Sequence, residues 1–159
     1  MDAEGVFQIE LLQQADYRFE VHFDAPVPVL ITDEGAPVGA DAGPSPAQLL
    51  GTAVANCLAA SLLFAMRKFR NEPGPMRVIA TVRMSRNEHK RLRISRIAVD
   101  LYLAIAGSEV KMLDRILSQF EDFCIVTQSV RSSIPVDVTV LDKTGTALNN
   151  VPGSGPATA

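Results

Sequence analysis

The chain has 159 residues, with 15 Lys and Arg against 18 Asp and Glu for a net charge of −3. That balance creates no field to attract nucleic acid or an anionic membrane, and 47% apolar with 21% charged residues argues against a disordered chain. The length suits one domain with a sizeable core, expected over 1–142. The opening Met1-Asp2-Ala3-Glu4-Gly5 lacks the basic region and apolar stretch of a signal peptide, so a cytoplasmic location is expected. There, two cysteines are more often free or redox-active than a structural staple.

The first forty residues read as β-structure. Strands are expected over 6–12 and 17–23, where Phe19, Val21 and Phe23 alternate with Arg18, Glu20 and His22. A third, over 27–32, is confined to an edge by Pro26 and Pro28, and a Gly/Ala/Pro loop fills 33–44. Ser45, Pro46 and Gln48 then open a helix as cap, first-turn proline and capping-box partner. It runs to about Asn71, where Pro73-Gly74-Pro75 forbids continuation. Its uncharged stretch over 47–66 is long enough to span a bilayer, but Gln48, Gly51, Thr52, Asn56 and Ser61 dilute it. A buried central helix with no membrane is the expectation.

Two long strands are expected over 76–85 and 92–105, joined by Asn87-Glu88-His89-Lys90. Ser108 reads as the cap of a second amphipathic helix whose Val110, Leu113, Ile116, Leu117 and Phe120 share a face. A short helical piece over 123–130 and a last strand over 134–141 follow. Residues 143–159, rich in small and turn-forming residues with little to bury, are expected to form a disordered tail. The order is that of an α+β domain.

Two stretches carry a family resemblance. Gly43-Pro44-Ser45-Pro46-Ala47-Gln48-Leu49-Leu50, followed by Ala53-Val54-Ala55-Asn56-Cys57-Leu58, resembles the OsmC/Ohr pattern. In that pattern a Gly-x-x-Pro turn opens a long apolar helix with a reactive cysteine in its middle. Phe123-Cys124-Ile125-Val126, leading to Ser129 and Ile134-Pro135-Val136, is similar to the family's second cysteine ahead of the final strand. With the element order, the resemblance spans 6–141. It implies two antiparallel β-regions around a long central apolar helix, in an intertwined homodimer with active sites at the interface. A helix apolar nearly all round independently needs more cover than one thin sheet gives. It also implies a thiol peroxidase that reduces organic hydroperoxides. Cys57 would become a sulfenic acid, Cys124 would resolve it to a disulfide, and a dithiol reductant, lipoyl-type dithiols among them, would reset the pair.

The family also supplies an arginine, oriented by a glutamate near the start of the long helix. Ala47 stands at the glutamate position, and 33–44 contains no arginine. Arg18 is the remaining candidate for the catalytic cation, equally readable as a solvated side chain, with Asp33 or Glu34 as possible orienting groups. Cys57 lies about three turns into its helix, too far for the helix N-terminus to help. Lowering a thiol's pKa gains thiolate but loses nucleophilicity, so a useful cation should hold the peroxide and stabilise the departing alkoxide.

No phosphate loop, cofactor signature or metal-ligand spacing is present, so neither cofactor nor metal is expected. The basic hairpin of Arg83, Arg86, Lys90, Arg91, Arg93 and Arg96 has no aromatic platform and reads as solvated, not as a nucleic-acid surface. Two other readings stay open: a disulfide cycle acting on another oxidant or thiol, and a non-catalytic module binding a small apolar ligand at the dimer interface.

Overall fold

The computed structural model describes residues 5–149. The chain divides into two compact units after Leu50.

The first unit is an antiparallel sheet, β1 (Ile9–Ala15), β2 (Arg18–Phe23) and β3 (Leu30–Thr32), in that order. Pairing Ile9 with Phe23, Leu11 with Val21, and Phe19 with Thr32 puts the apolar side chains on one face, as the period-2 alternation requires. β1 starts three residues later than expected. β3 keeps only three residues of the expected strand, because Pro26 and Pro28 have no N–H to give and Val27 turns back onto Ala25 O. The β1 side of the apolar face is uncovered, with Leu11 53% exposed and Ile9 48%, while Val21 is buried. The loop at 33–44 closes on itself through Asp33. Gly43 sits where a Cβ would fall 2.1 Å from Ile31 O, so no larger residue fits that turn.

Helix α1 (Pro46–Lys68) begins as its sequence dictates. The Ser45 N–H donates to Gln48 Oε1 and the Gln48 N–H donates to Ser45 Oγ, a reciprocal capping box. By length and composition α1 could cross a membrane. Its Val54, Leu58, Leu62 and Met66, however, are at most 1% exposed, which makes it the core helix of the second unit. The opposite face presents Ala53, Ala60 and Phe64 to solvent.

The second sheet contains β4 (Arg77–Arg86), β5 (Leu92–Tyr102) and β6 (Val136–Leu141). A tight turn joins β4 to β5: Asn87 Oδ1 accepts the N–H groups of His89 and Arg91, and Lys90 takes a left-handed φ of 59°. β6 runs parallel to β5, so this region is mixed and not wholly antiparallel as expected. The chain between them makes a helical crossover, which returns it to the same end of the sheet. Ile97, Val99 and Leu101 pair with Val136, Val138 and Val140, so the buried face is continuous.

The expected second helix is broken. Gly107–Glu109 forms one 3-10 turn, α2 is only Leu113–Leu117, and Phe120–Phe123 forms another 3-10 turn. Ser108 lies inside the first turn, where Glu109 and not Ser108 makes the cap, its carboxylate accepting from Ala106 N–H. The break has a distant cause. Buried Asn71 accepts the Lys111 N–H at 2.7 Å and donates to Lys111 O at 3.0 Å, fixing that peptide outside a helix, and Met112 turns left-handed at φ 58°. The third helix, α3, is Ile125–Val130.

Residues 143–149, assigned by composition to a disordered tail, instead turn back along β6. Ala147 bridges Leu141, and Asn149 donates to Val138 O while accepting from Val140 N–H. The remainder of that expected tail lies outside the described residues.

Candidate active site

Cys57 sits three turns into α1, half-buried, at the border between the helix's buried face and its exposed face. Cys124 is the N-cap of α3 and is fully buried. Both are free thiols, and Cys57 is near enough to Cys124 to influence its ionisation. Phe64, two turns beyond Cys57, meets Phe123 edge-to-face at 5.9 Å between ring centres, joining the two cysteine-bearing segments at the surface.

The surroundings of Cys124 oppose its ionisation. Burial, then the Cys57 thiol, push its pKa up; the Thr127 side chain and amide pull it down, and the net shift is upward. The cap geometry is specific. Cys124 Sγ donates to Thr127 Oγ1 at 2.9 Å and accepts the Thr127 N–H at 3.4 Å, with Thr127 itself 0% exposed. The sequence reading missed Thr127. The signal was present as a cysteine followed three residues later by a hydroxyl residue, the spacing at which a cap meets the first turn. Two neighbouring thiols, one reachable from solvent and one held protonated in the core, can pass between a dithiol and a disulfide.

Arg18 begins β2 in the first unit. Its Nε lies 3.8 Å from Asp33 Oδ2, and the side chains are 39% and 2% exposed. Asp33 is therefore the carboxylate partner, while Glu34 contributes only its backbone to this loop. Burial alone would raise the Asp33 carboxyl. The N–H groups of Ala42, Ala40 and Glu34, with the Arg18 charge, outweigh it and hold the carboxyl below its usual range. The guanidinium borders a hollow of about 200 Å³ whose walls include Ala15, Pro37, Val38 and Ala40. Among the described residues no group of three or more His, Cys, Asp and Glu could hold a metal.

A protein-family model described as OsmC-like protein matches residues 39–139, well over half the chain. The chain belongs to the OsmC family. Both cysteines of this OsmC-like chain fall inside the matched span; Arg18 and Asp33 precede it. No curated protein sequence matches the chain. Among solved structures, it is similar to an OsmC-like protein of unknown function from Vibrio cholerae O1 biovar eltor. The TM-score is 0.74 at 12% identity, covering 86% of this chain and 99% of that one. An organic hydroperoxide resistance protein from Elizabethkingia anophelis, crystallised with thiocyanate bound, gives 0.67 at 16%, covering 87% and 98%. Another from Bacillus subtilis gives 0.65 at 15%, covering 87% and 99%. At such identities the likeness is one of fold.

Proposed function

We propose that this protein is a cytoplasmic, homodimeric thiol peroxidase that reduces organic hydroperoxides. The observation that carries the reading is the pairing of a half-buried Cys57 thiol with a fully buried Cys124 thiol whose ionisation it influences. The hydroperoxide-resistance names of fold relatives support the substrate class. The Cys57 thiolate attacks the peroxide oxygen distal to the alkyl group; an S–O bond forms, the O–O bond breaks, and the alkoxide takes a proton to leave as an alcohol. Cys124 then displaces hydroxide from the Cys57 sulfenic acid, giving a disulfide and water. A dithiol reduces the pair and is itself oxidised to a disulfide. Arg18 is assigned to hold the peroxide and stabilise the alkoxide, with Asp33 in place of the family's glutamate, since Ala47 cannot serve. Dimerisation would cover the exposed Ala53, Ala60 and Phe64 face of α1.

Intact mass after one equivalent of an alkyl hydroperoxide tests the cycle. The wild type should lose two hydrogens, Cys124→Ser should gain oxygen, and Cys57→Ser should remain unchanged. A wild type that keeps both thiols free ends the peroxidase reading and leaves the ligand-binding module as the better account.

A further inference from the structure

We infer that Thr127 is a catalytic residue of the resolving step, its hydroxyl and amide together holding the Cys124 sulfur as it becomes the nucleophile. This rests on the proposed peroxidase cycle and adds to it a group that no sequence motif identified. In the resting protein Thr127 Oγ1 accepts the Cys124 S–H at 2.9 Å, which aims the sulfur. The Thr127 N–H meanwhile donates to the same sulfur at 3.4 Å. Both residues are fully buried, so no bulk water stands ready to solvate a thiolate there. The helix α3 is six residues long, too short to supply a useful dipole.

Resolution requires that thiolate. Cys124 Sγ attacks Cys57 Sγ, the S–S bond forms, and the Cys57 S–O bond breaks. The proton lost from Cys124 ends on the departing hydroxide, so the products are one disulfide and one water. A rotation about the Cβ–Oγ1 bond of Thr127 turns its hydroxyl from acceptor to donor, with no movement of heavy atoms. The sulfur then has two donors, hydroxyl and amide, at the moment it carries charge. These two contacts are also the influences that draw Cys124 toward ionisation, against burial and Cys57. A residue acting only as packing would fill the same space with a methyl group.

Thr127→Val makes that replacement, and Thr127→Ser restores the hydroxyl without the methyl. Losing one donor to an ionised group lowers the thiolate population about ten- to hundredfold. The rise in nucleophilicity with basicity, at a slope of about 0.4–0.5, returns part of this, leaving disulfide formation about three- to fifteenfold slower. Reduced protein is mixed with an alkyl hydroperoxide, and two rates are followed separately: hydroperoxide consumption, and conversion of the sulfenic acid to disulfide, with dimedone trapping the intermediate. Thr127→Val should slow conversion of the sulfenic acid more than it slows hydroperoxide consumption, accumulate dimedone adduct, and overoxidise to sulfinic acid in excess peroxide. Thr127→Ser should return to within about twofold of wild type. Thr127→Ala, which also lacks the hydroxyl, replaces the valine variant if that does not fold. Wild-type resolution in the hydroxyl-free variant overturns this assignment alone, as does an equal slowing of both steps. A wild type that consumes no hydroperoxide overturns the cycle and this assignment with it.

Discussion

Gly51 lets α1 approach β4, and its replacement has a calculable effect. A Cβ at this position would stand 2.6 Å from Val82 Cγ2, about 1 Å inside ordinary carbon–carbon contact. Gly51→Ala gains about 1 kcal/mol in helix propensity, while overpacking of a close contact costs about 1–3 kcal/mol. The net expectation is destabilisation by up to about 2 kcal/mol. Valine is stiff about χ1, which limits escape by rotation. Val82→Ala alone should cost about 1 kcal/mol, since two methyl groups leave a half-buried position. With alanine at 82 the obstacle is gone, and Gly51→Ala should become stabilising by up to about 1 kcal/mol. The coupling in the double-mutant cycle is then about 1–3 kcal/mol. Urea unfolding of the four proteins at one concentration measures it from the midpoints, provided the slopes agree. If Gly51→Ala destabilises equally in both backgrounds, close approach to Val82 is not why glycine stands there.

Arg18→Ala should reduce the second-order rate with an alkyl hydroperoxide by about two to three decades, and Arg18→Lys should recover only part, because lysine lacks the planar fork. Asp33→Asn should also slow this step, because an amide would set a donor against the N–H groups of Ala40 and Ala42 and remove the charge facing Arg18; wild-type rates would remove both residues from the mechanism. Asp142 offers a pH test. Its carboxyl is lowered from 3.8 to about 2 by the Thr144 hydroxyl and the Gly107 N–H, then by the N–H groups of Thr144 and Thr146, against burial. A depressed carboxylate stabilises the fold above its unfolded pKa and loses that contribution as pH falls through the folded one. Thermal midpoints should therefore show Asp142→Asn below wild type at pH 7, with the gap closing between about pH 4 and pH 2; a gap independent of pH would contradict this.

The elements most visible in the sequence were those fixed by local chemistry. Ser45, Pro46 and Gln48 set the start of α1, and the alternation from Arg18 to Phe23 defined β2, because caps and period-2 patterns act within a few residues. The second helix failed for the opposite reason. Its apolar spacing is helical, but Asn71, 40 residues earlier, captures the Lys111 peptide from both sides. The direction of β6 was also hidden, since Val136, Val138 and Val140 alternate identically in either orientation. At the site, the family resemblance singled out both cysteines, and Arg18 was chosen by elimination. Which acidic neighbour it would meet depended on how 33–44 folds back on Asp33. Thr127 was overlooked because a hydroxyl in a short helix looks like an ordinary turn residue until the sulfur beside it is seen.

The return of residues 147–149 along β6 bears on solubility. Val136-Asp137-Val138-Thr139-Val140-Leu141 is a β-prone, weakly charged segment, the composition that pairs readily with copies of itself. Asn149 occupies the outward N–H of Val140 and C=O of Val138 with its side-chain amide, and Leu148 N–H takes Val140 O. Chain that looks dispensable thus blunts a sticky margin, so trimming the protein at Asp142 would trade a few small, polar residues for an aggregation-prone strand.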